Sequence, residues 1–402
     1  MVRRSPRGPA VLALAGAVLG ITFSAYSTAD YAEHLDRRVH DLHCSFVPGA
    51  QATAEAEACR SAMYSPYSAL FKEDLWGGVP ISLFGLGAFV FLATFALYLV
   101  LAGSRAPRRA VSFYGWVGIT PLLVSVAMFT ISITRVGALC KTCVGIYAAS
   151  VVVAVGALWG VTRAGQGGGA VRPSGALGWL LPLVWLAAMG IVTTLPAWVY
   201  AQGVPDHRPY LTGCGQLEHP KEPHDALVRI RGANAIQPSI LFEDPLCPTC
   251  KAFHDRLSAE GALERLDIQL ALFPLDSECN WMLDRPLHPG ACTVSKLILC
   301  AQNPLTALEW AFDNQEELTR LGAEGEPALR EYLSRRFGAA MLACVDARET
   351  KVRLNRHLHF AADNSVPVST PQVYLGDLRL CDEDTDIGLR YALKQLAPEV
   401  LR

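Results

Sequence analysis

Long charge-free apolar runs alternate with short basic segments over the first half of the chain. After about residue 205 the pattern gives way to the mixed rhythm of soluble structure. The runs are 8–29, 75–104, 110–134, 142–162 and 173–205. Each reaches the about 20 mainly apolar residues that cross about 30 Å of hydrocarbon, so five membrane helices are expected. The fourth is expected to begin near Val136, with Lys141 close to the interface where its ammonium reaches water. The first run is longer than the about 7–15 apolar residues of a cleavable signal core and reads as a span.

The basic segments give the direction. Arg3, Arg4 and Arg7 precede the first span, Arg105, Arg108 and Arg109 separate the second from the third, and Arg163 and Arg172 separate the fourth from the fifth. None of these segments carries Asp or Glu. Positive segments stay on the cytoplasmic side. The N-terminus is therefore expected inside, and the 30–74 loop and everything after residue 205 outside.

Beyond the last run, residues 201–223 are rich in Pro, Gly and His and read as a tether. A soluble domain is expected over 224–402, with the membrane part over 1–200. Residues 226–230 and 239–243 read as strands, the stretch after Cys247 as a helix, and 266–273 as a buried strand. Residues 290–358 look helical. A hairpin is expected over 372–381 around Gly376-Asp377, then a last helix over 384–396. Charged residues make up 18% of the chain and the net charge is -2, so no nucleic acid partner is expected, and the partner of the first half is the lipid bilayer.

The chemistry lies in the cysteines. There are twelve, and none falls in an expected cytoplasmic loop. Cys44 and Cys59 lie in the first external loop. Cys140-Lys141-Thr142-Cys143 opens the fourth span, and Cys247-Pro248-Thr249-Cys250 follows a strand of the soluble domain. Residues i and i+3 of a helix share a face, so each Cys-x-x-Cys pair is close enough to form a disulfide. Cys247 is expected at a helix N-terminus, where unpaired N–H groups and the helix dipole favour a thiolate, with Pro248 suited to the first turn. Cys250, one turn inward, would resolve a mixed disulfide. A zinc half-site would need a second pair at zinc-like spacing, and none follows, so no metal is expected. The other external cysteines are Cys214, Cys279, Cys292, Cys300, Cys344 and Cys381. Six allow fifteen pairings; Cys279–Cys292, flanking a Pro-rich turn, is the preferred one.

The order strand, Cys-x-x-Cys helix, strand, helical insertion, hairpin, helix resembles the thioredoxin fold, with an insertion similar to that of the periplasmic disulfide oxidoreductases. The likeness covers 239–253 and 368–375. It implies that Pro371, in Val368-Ser369-Thr370-Pro371-Gln372, is cis and lies against Cys247, and that Thr370 offers backbone groups to a bound peptide.

The membrane half resembles the vitamin K epoxide reductase family in its bacterial form fused to a thioredoxin-like domain. The likeness rests on Cys44 and Cys59, on Cys59-Arg60-Ser61-Ala62-Met63-Tyr64-Ser65-Pro66-Tyr67-Ser68, on Gly78-Val79-Pro80 and Gly85, and on Cys140-Lys141-Thr142-Cys143-Val144-Gly145-Ile146-Tyr147. It implies an all-α membrane unit of five helices with a four-helix core around a quinone, ubiquinone or menaquinone, in a bacterial inner membrane. Cys143 would face the quinone, Cys140 would exchange with a loop cysteine, and Ser65 and Tyr147 would hydrogen-bond the quinone oxygens. The soluble domain would lie in the periplasm and draw electrons from thiol proteins there. Electrons would pass from Cys247/Cys250 through Cys44/Cys59 to Cys140/Cys143, promoting disulfide formation. Two features depart from the family: fourteen residues separate Cys44 from Cys59, and the segment 72–76 is inserted before the Gly-x-Pro stretch. Two rival functions remain, an exporter of reducing power, which needs a cysteine reachable from the cytoplasmic face, and a metal-handling protein using soft thiolates.

Overall fold

The computed structural model describes residues 6–36, 54–165, 177–232 and 234–401. Cys44 lies outside the described residues. The chain forms two compact units, Met1–Pro205 and Asp206–Arg402.

The first unit carries five helices long and apolar enough to cross a membrane. Helix α1 (Arg7–Glu33) packs between α3 (Ile81–Ala102) and α6 (Lys141–Gly165), while α7 (Leu177–Gly203) lies on α3. Small residues permit the close approach of α1 and α6: a Cβ on Gly156 would come 2.7 Å from the Ala13 nitrogen, and one on Gly16 would come 2.8 Å from Val152. The third apolar run is two helices, α4 (Arg108–Val117) and α5 (Thr120–Ile131), both packed on α6. Pro121 has no N–H and suits the first turn of α5, which explains why the helix restarts there.

Two boundaries differ from the sequence reading. The second span begins at Ile81 rather than at 75, because Gly77 and Gly78 take positive φ (74° and 72°) and turn the chain. The turn brings β1 (Ala69–Leu70) against β2 (Val79–Pro80). The fourth helix begins at Lys141, not near Val136, because Gly137 is left-handed and 137–140 belong to no helix. A short helix, α2 (Ala54–Tyr64), carries Cys59 against α6.

Arg7 and Arg163 come to the same end of this unit. A Cβ on Gly103 would meet the Arg7 guanidinium, and one on Gly8 would lie 3.6 Å from that of Arg163. Cys140 lies at the other end of α6, 23 residues from Arg163, which is about 35 Å at 1.5 Å per residue and close to one hydrocarbon thickness.

The second unit is a five-stranded sheet in the order β3-β5-β4-β6-β7, formed by β3 (Val228–Arg231), β4 (Gln237–Glu243), β5 (Leu266–Leu272), β6 (Gln372–Leu375) and β7 (Leu378–Arg379). Only β4 and β5 run parallel, joined through α8 (Pro248–Ala259). Six helices, α9 (Ala291–Cys300), α10 (Pro304–Asp313), α11 (Gln315–Glu324), α12 (Glu326–Phe337), α13 (Ala339–Asp346) and α14 (Arg348–Asp363), stand between β5 and β6, and α15 (Leu389–Leu396) closes the unit. This is a thioredoxin-like sheet with a helical insertion. Its core centres on Phe242, which stacks on Phe360 at 5.7 Å and meets Phe273 edge-on.

The stretch read as a tether, 201–223, is divided differently. Residues 201–203 finish α7, and from Asp206 the chain joins the second unit. Leu217 donates to Asp377 O (2.9 Å), Arg379 donates to Gly215 O (2.9 Å), and Cys214 is disulfide-bonded to Cys381. That bond closes a separation of 167 residues, worth about 5 kcal/mol in the chain-entropy account. The other disulfides are Cys279–Cys292, the preferred pair, and Cys300–Cys344.

Candidate functional site

The two Cys-x-x-Cys pairs have the same local geometry. Each first cysteine stands immediately before its helix: Cys140 O accepts Val144 N–H (3.0 Å), and Cys247 O accepts Lys251 N–H (3.2 Å). In each, the threonine two residues on places its hydroxyl 2.8 Å from the first sulfur, Thr142 for Cys140 and Thr249 for Cys247. A hydroxyl donating to sulfur and the free N–H groups of a helix start both favour the thiolate. The threonines are visible in the sequence, but the spacing argument used only the cysteines. None of these four sulfurs is in a disulfide.

In the second unit Cys247 is 5% exposed and Cys250 is fully buried. The Thr370–Pro371 peptide is cis. Cys247 Sγ lies 3.4 Å from the Thr370 carbonyl oxygen, and the Thr249 hydroxyl, 3.0 Å from that oxygen, has one proton to share between it and the Cys247 sulfur. The bond from the Cys250 thiol outweighs burial and, with Thr249, brings Cys247 down to about 6. Burial and the bond to Cys247 push Cys250 well above the ordinary thiol range. One sulfur is thus an ion at neutral pH while its neighbour keeps its proton.

Glu243, at the end of β4, was not singled out from sequence. It is 1% exposed, and its Oε1 is buried without a hydrogen-bond partner. Burial, reinforced by Cys247, raises it to about 8. A carboxyl poised near neutrality, close enough to Cys250 to raise its pKa further, can hold or release the proton that Cys250 exchanges. Its strand position in a run of apolar residues gave no sign of this.

In the first unit Cys59 is disulfide-bonded and 2% exposed. Its sulfur lies 2.8 Å from Cys140 Sγ. Cys59, Cys140 and Cys143 form one buried cluster with Ala62. This cluster forms part of the wall of a cavity of about 400 Å³, which is also lined by Ser65, Tyr147, Met128 and Phe89. Ser65 and Tyr147, named above from the family likeness, both line this cavity. The Ser65 hydroxyl donates to Ala62 O (2.8 Å), and donating to a ligand oxygen requires it to rotate out of that bond. The turn behind it is held by Lys72, 4% exposed, whose ammonium donates to Ser65 O at 2.6 Å. Lys72 belongs to the inserted segment, so the insertion buttresses the cavity wall.

Two more lining residues were missed from sequence. Ser24 on α1 and Thr193 on α7 both face the cavity, and each hydroxyl is buried without a hydrogen-bond partner. Gly85 lies opposite Ser24, where a Cβ would come 3.3 Å from its Oγ. A largely apolar chamber of this volume with a few converging polar groups suits a small flat ligand carrying oxygen acceptors. The residues present fit a quinone head group: hydroxyls for its oxygens, apolar walls for its ring, and a thiol, Cys143, at its edge.

Residues 11–158 match the model of the vitamin K epoxide reductase family. No curated protein matches the chain. Among solved structures, the chain is similar to ScsC of Proteus mirabilis in a transitional conformation, at 14% identity, with 56% of this chain and 98% of that one covered and a TM-score of 0.28. A linker-deletion mutant of the same protein gives 14% identity, 57% and 100% coverage and a TM-score of 0.28.

Proposed function

From a membrane unit that carries a vitamin K epoxide reductase family region over residues 11–158, joined to a thioredoxin-like unit, we propose a quinone-dependent thiol–disulfide oxidoreductase that promotes disulfide formation outside the cytoplasm. The observation that carries the reading is the 2.8 Å approach of Cys59 to Cys140 at the edge of the Cys143-lined cavity.

A substrate thiolate attacks oxidised Cys247, and Cys250 leaves, taking its proton from Glu243. The second substrate thiol then displaces Cys247, so the substrate gains a disulfide and the domain becomes a dithiol. Cys247 attacks Cys44 of the loop disulfide and releases Cys59, and Cys250 then attacks Cys247 and releases Cys44, so the domain regains its disulfide and the loop becomes a dithiol. Cys59 attacks Cys140 of the oxidised membrane pair and releases Cys143 beside the cavity, and Cys44 then attacks Cys59 and releases Cys140, so the loop disulfide re-forms and the membrane pair is a dithiol. A quinone held there supplies the acceptor for two electrons and two protons, which balances the oxidation of two thiols to one disulfide. Ser65, Tyr147, Ser24 and Thr193 would hold it by its oxygens. Each exchange needs an accessible sulfur and a thiolate, which helix starts and threonine hydroxyls favour at both pairs.

The Arg7 and Arg163 end of the first unit favours the cytoplasmic side and the Cys140 end the outer side, which supports reading the second unit as periplasmic in a bacterial inner membrane. An exporter of reducing power needs a thiol at the basic end, and the described cysteines of this unit lie at the opposite one. A thiolate metal site is not favoured either. Among the described residues the candidate cluster is Cys214, Cys381 and Glu383, and its two sulfurs are joined in a disulfide.

The test uses the purified full-length protein, a reduced external dithiol protein and ubiquinone or menaquinone analogues, with quinone reduction followed by absorbance. Reduction by wild type and its loss in Cys143→Ala are expected. A wild-type protein that reduces neither quinone would sink the proposal.

A further inference from the structure

The dithiol turn of the second unit has a charged pair beside it that the exchange steps do not use. Asp244 follows Glu243 and is fully buried. Its backbone N–H points at Cys250 Sγ (3.5 Å), and its carbonyl accepts the Cys247 N–H (3.1 Å). Its carboxylate accepts the N–H groups of Leu246 and Leu275, both at 2.7 Å, and bonds His288 Nδ1, also at 2.7 Å. One residue therefore touches both cysteines through its backbone and an imidazole through its side chain.

His288 comes from the loop after β5, and that loop is firmly held. The Cys279–Cys292 disulfide spans it, and Asp276 accepts the N–H groups of Gly290 (2.9 Å) and Cys292 (3.4 Å). The His288 side chain is 19% exposed while that of Asp244 is 0% exposed, so the imidazole roofs the carboxylate at the surface.

The charges decide what the pair does. An unpaired buried carboxylate next to Cys247 would oppose its thiolate. No cation is available inside the Cys-Pro-Thr-Cys turn, and the next residue, Lys251, is paired with Asp255 at 3.0 Å. We propose that His288, held by Asp244 as an imidazolium, is the positioning residue that cancels this carboxylate's charge at the dithiol turn and so keeps Cys247 a reactive thiolate. The proposal rests on reading Cys247 as the nucleophile. The groups that face His288 are Asp244 at the turn, Cys247 at the head of α8 and Asp276 in its own loop; Glu243 faces Cys247 from β4. Burial works against the imidazolium, but the bond and charge of Asp244, with Cys247 and Asp276 behind them, hold His288 above the ordinary histidine range.

The test follows iodoacetamide alkylation of Cys247 in the full-length protein from pH 4 to 9, read by peptide mass. His288→Asn keeps a hydrogen bond to Asp244 without the charge, and His288→Lys keeps a charge without the ring. In wild type the alkylation midpoint is expected near 6. In His288→Asn it rises by about one unit, a tenfold loss of thiolate that corresponds to about 30 mV toward a more reducing couple. His288→Lys holds the wild-type midpoint. An unchanged midpoint in His288→Asn, or equal shifts in both variants, would overturn the proposal. A wild-type midpoint near the ordinary about 8.5 would remove its premise, the functional reading of Cys247, and overturn it with that reading.

Discussion

Replacing Glu243 by methionine should stabilise the second unit and slow its chemistry. The carboxyl is fully buried beside the dithiol and is raised to about 8 from 4.5. In the unfolded chain it ionises at about 4.3. A group whose folded value is raised contributes stability below its unfolded value and loses it as pH rises through the folded one. At pH 7 the native state therefore carries the cost of keeping the group protonated, about 4 kcal/mol at 1.36 kcal/mol per unit. Above pH 8 the cost reaches about 5 kcal/mol, and below pH 4 it vanishes. Glu243→Met removes it. Amide hydrogen exchange on the full-length protein reads the gain: protection of the β4–β5 ladder should rise by about 500-fold at pH 7, with little gain at pH 4. The same variant lacks the proton acceptor for Cys250, so mixed disulfides at Cys247 should resolve more slowly, by about 10²-fold or more. Equal pH dependence of protection in variant and wild type, or lower stability of the variant at pH 7, would refute the reasoning.

Three other outcomes follow from the same geometry. His357 accepts the Leu272 N–H at Nδ1 (2.9 Å) and donates from Nε2 to Ala226 O (2.8 Å), and burial lowers it to about 4. Its folded value is depressed, so protons bind the unfolded chain first, and about 3 kcal/mol is lost as pH falls from about 6.5 to 4. Denaturant titrations should show this slope in wild type and not in His357→Gln; an unchanged slope contradicts it. Ser24→Ala with Thr193→Val should raise the KM for quinone several-fold with dithiol exchange at Cys247 unaffected, measured by steady-state quinone reduction against alkylation rate; an unchanged KM removes both hydroxyls from the binding site. Lys72→Met leaves the buried Ser65 carbonyl without its charged donor, a loss of about 1.5–3 kcal/mol, and should raise that KM where Lys72→Arg partly restores it.

The apolar runs made the five helices legible, because twenty charge-free residues admit few other fates in a chain that also holds Arg105, Arg108 and Arg109 between them. The two dithiols were legible from spacing, and Ser65 and Tyr147 from the family likeness alone. The rest depends on contacts that sequence does not carry. Cys59 and Cys140 are 81 residues apart and meet only because α2 folds against α6. Ser24 and Thr193 look like ordinary membrane-helix hydroxyls until their missing partners and the cavity are seen. Asp244 and His288 are 44 residues apart and joined by a loop that the Cys279–Cys292 disulfide spans. The tether reading failed on composition: Pro and Gly suggested a free linker, whereas Cys214 pairs with Cys381 and fixes residues 206–217 to the sheet edge.

The central claim is that the loop disulfide and the membrane dithiol exchange through Cys59 and Cys140. In full-length Cys143→Ala, Cys140 stays a thiol and opens the loop disulfide at Cys59 by the reverse of the same exchange, with no Cys143 to resolve the product. Non-reducing peptide mapping is predicted to find a Cys59–Cys140 disulfide as the main species. Cys140 recovered as a free thiol, or linked to any cysteine other than Cys59, would contradict the account.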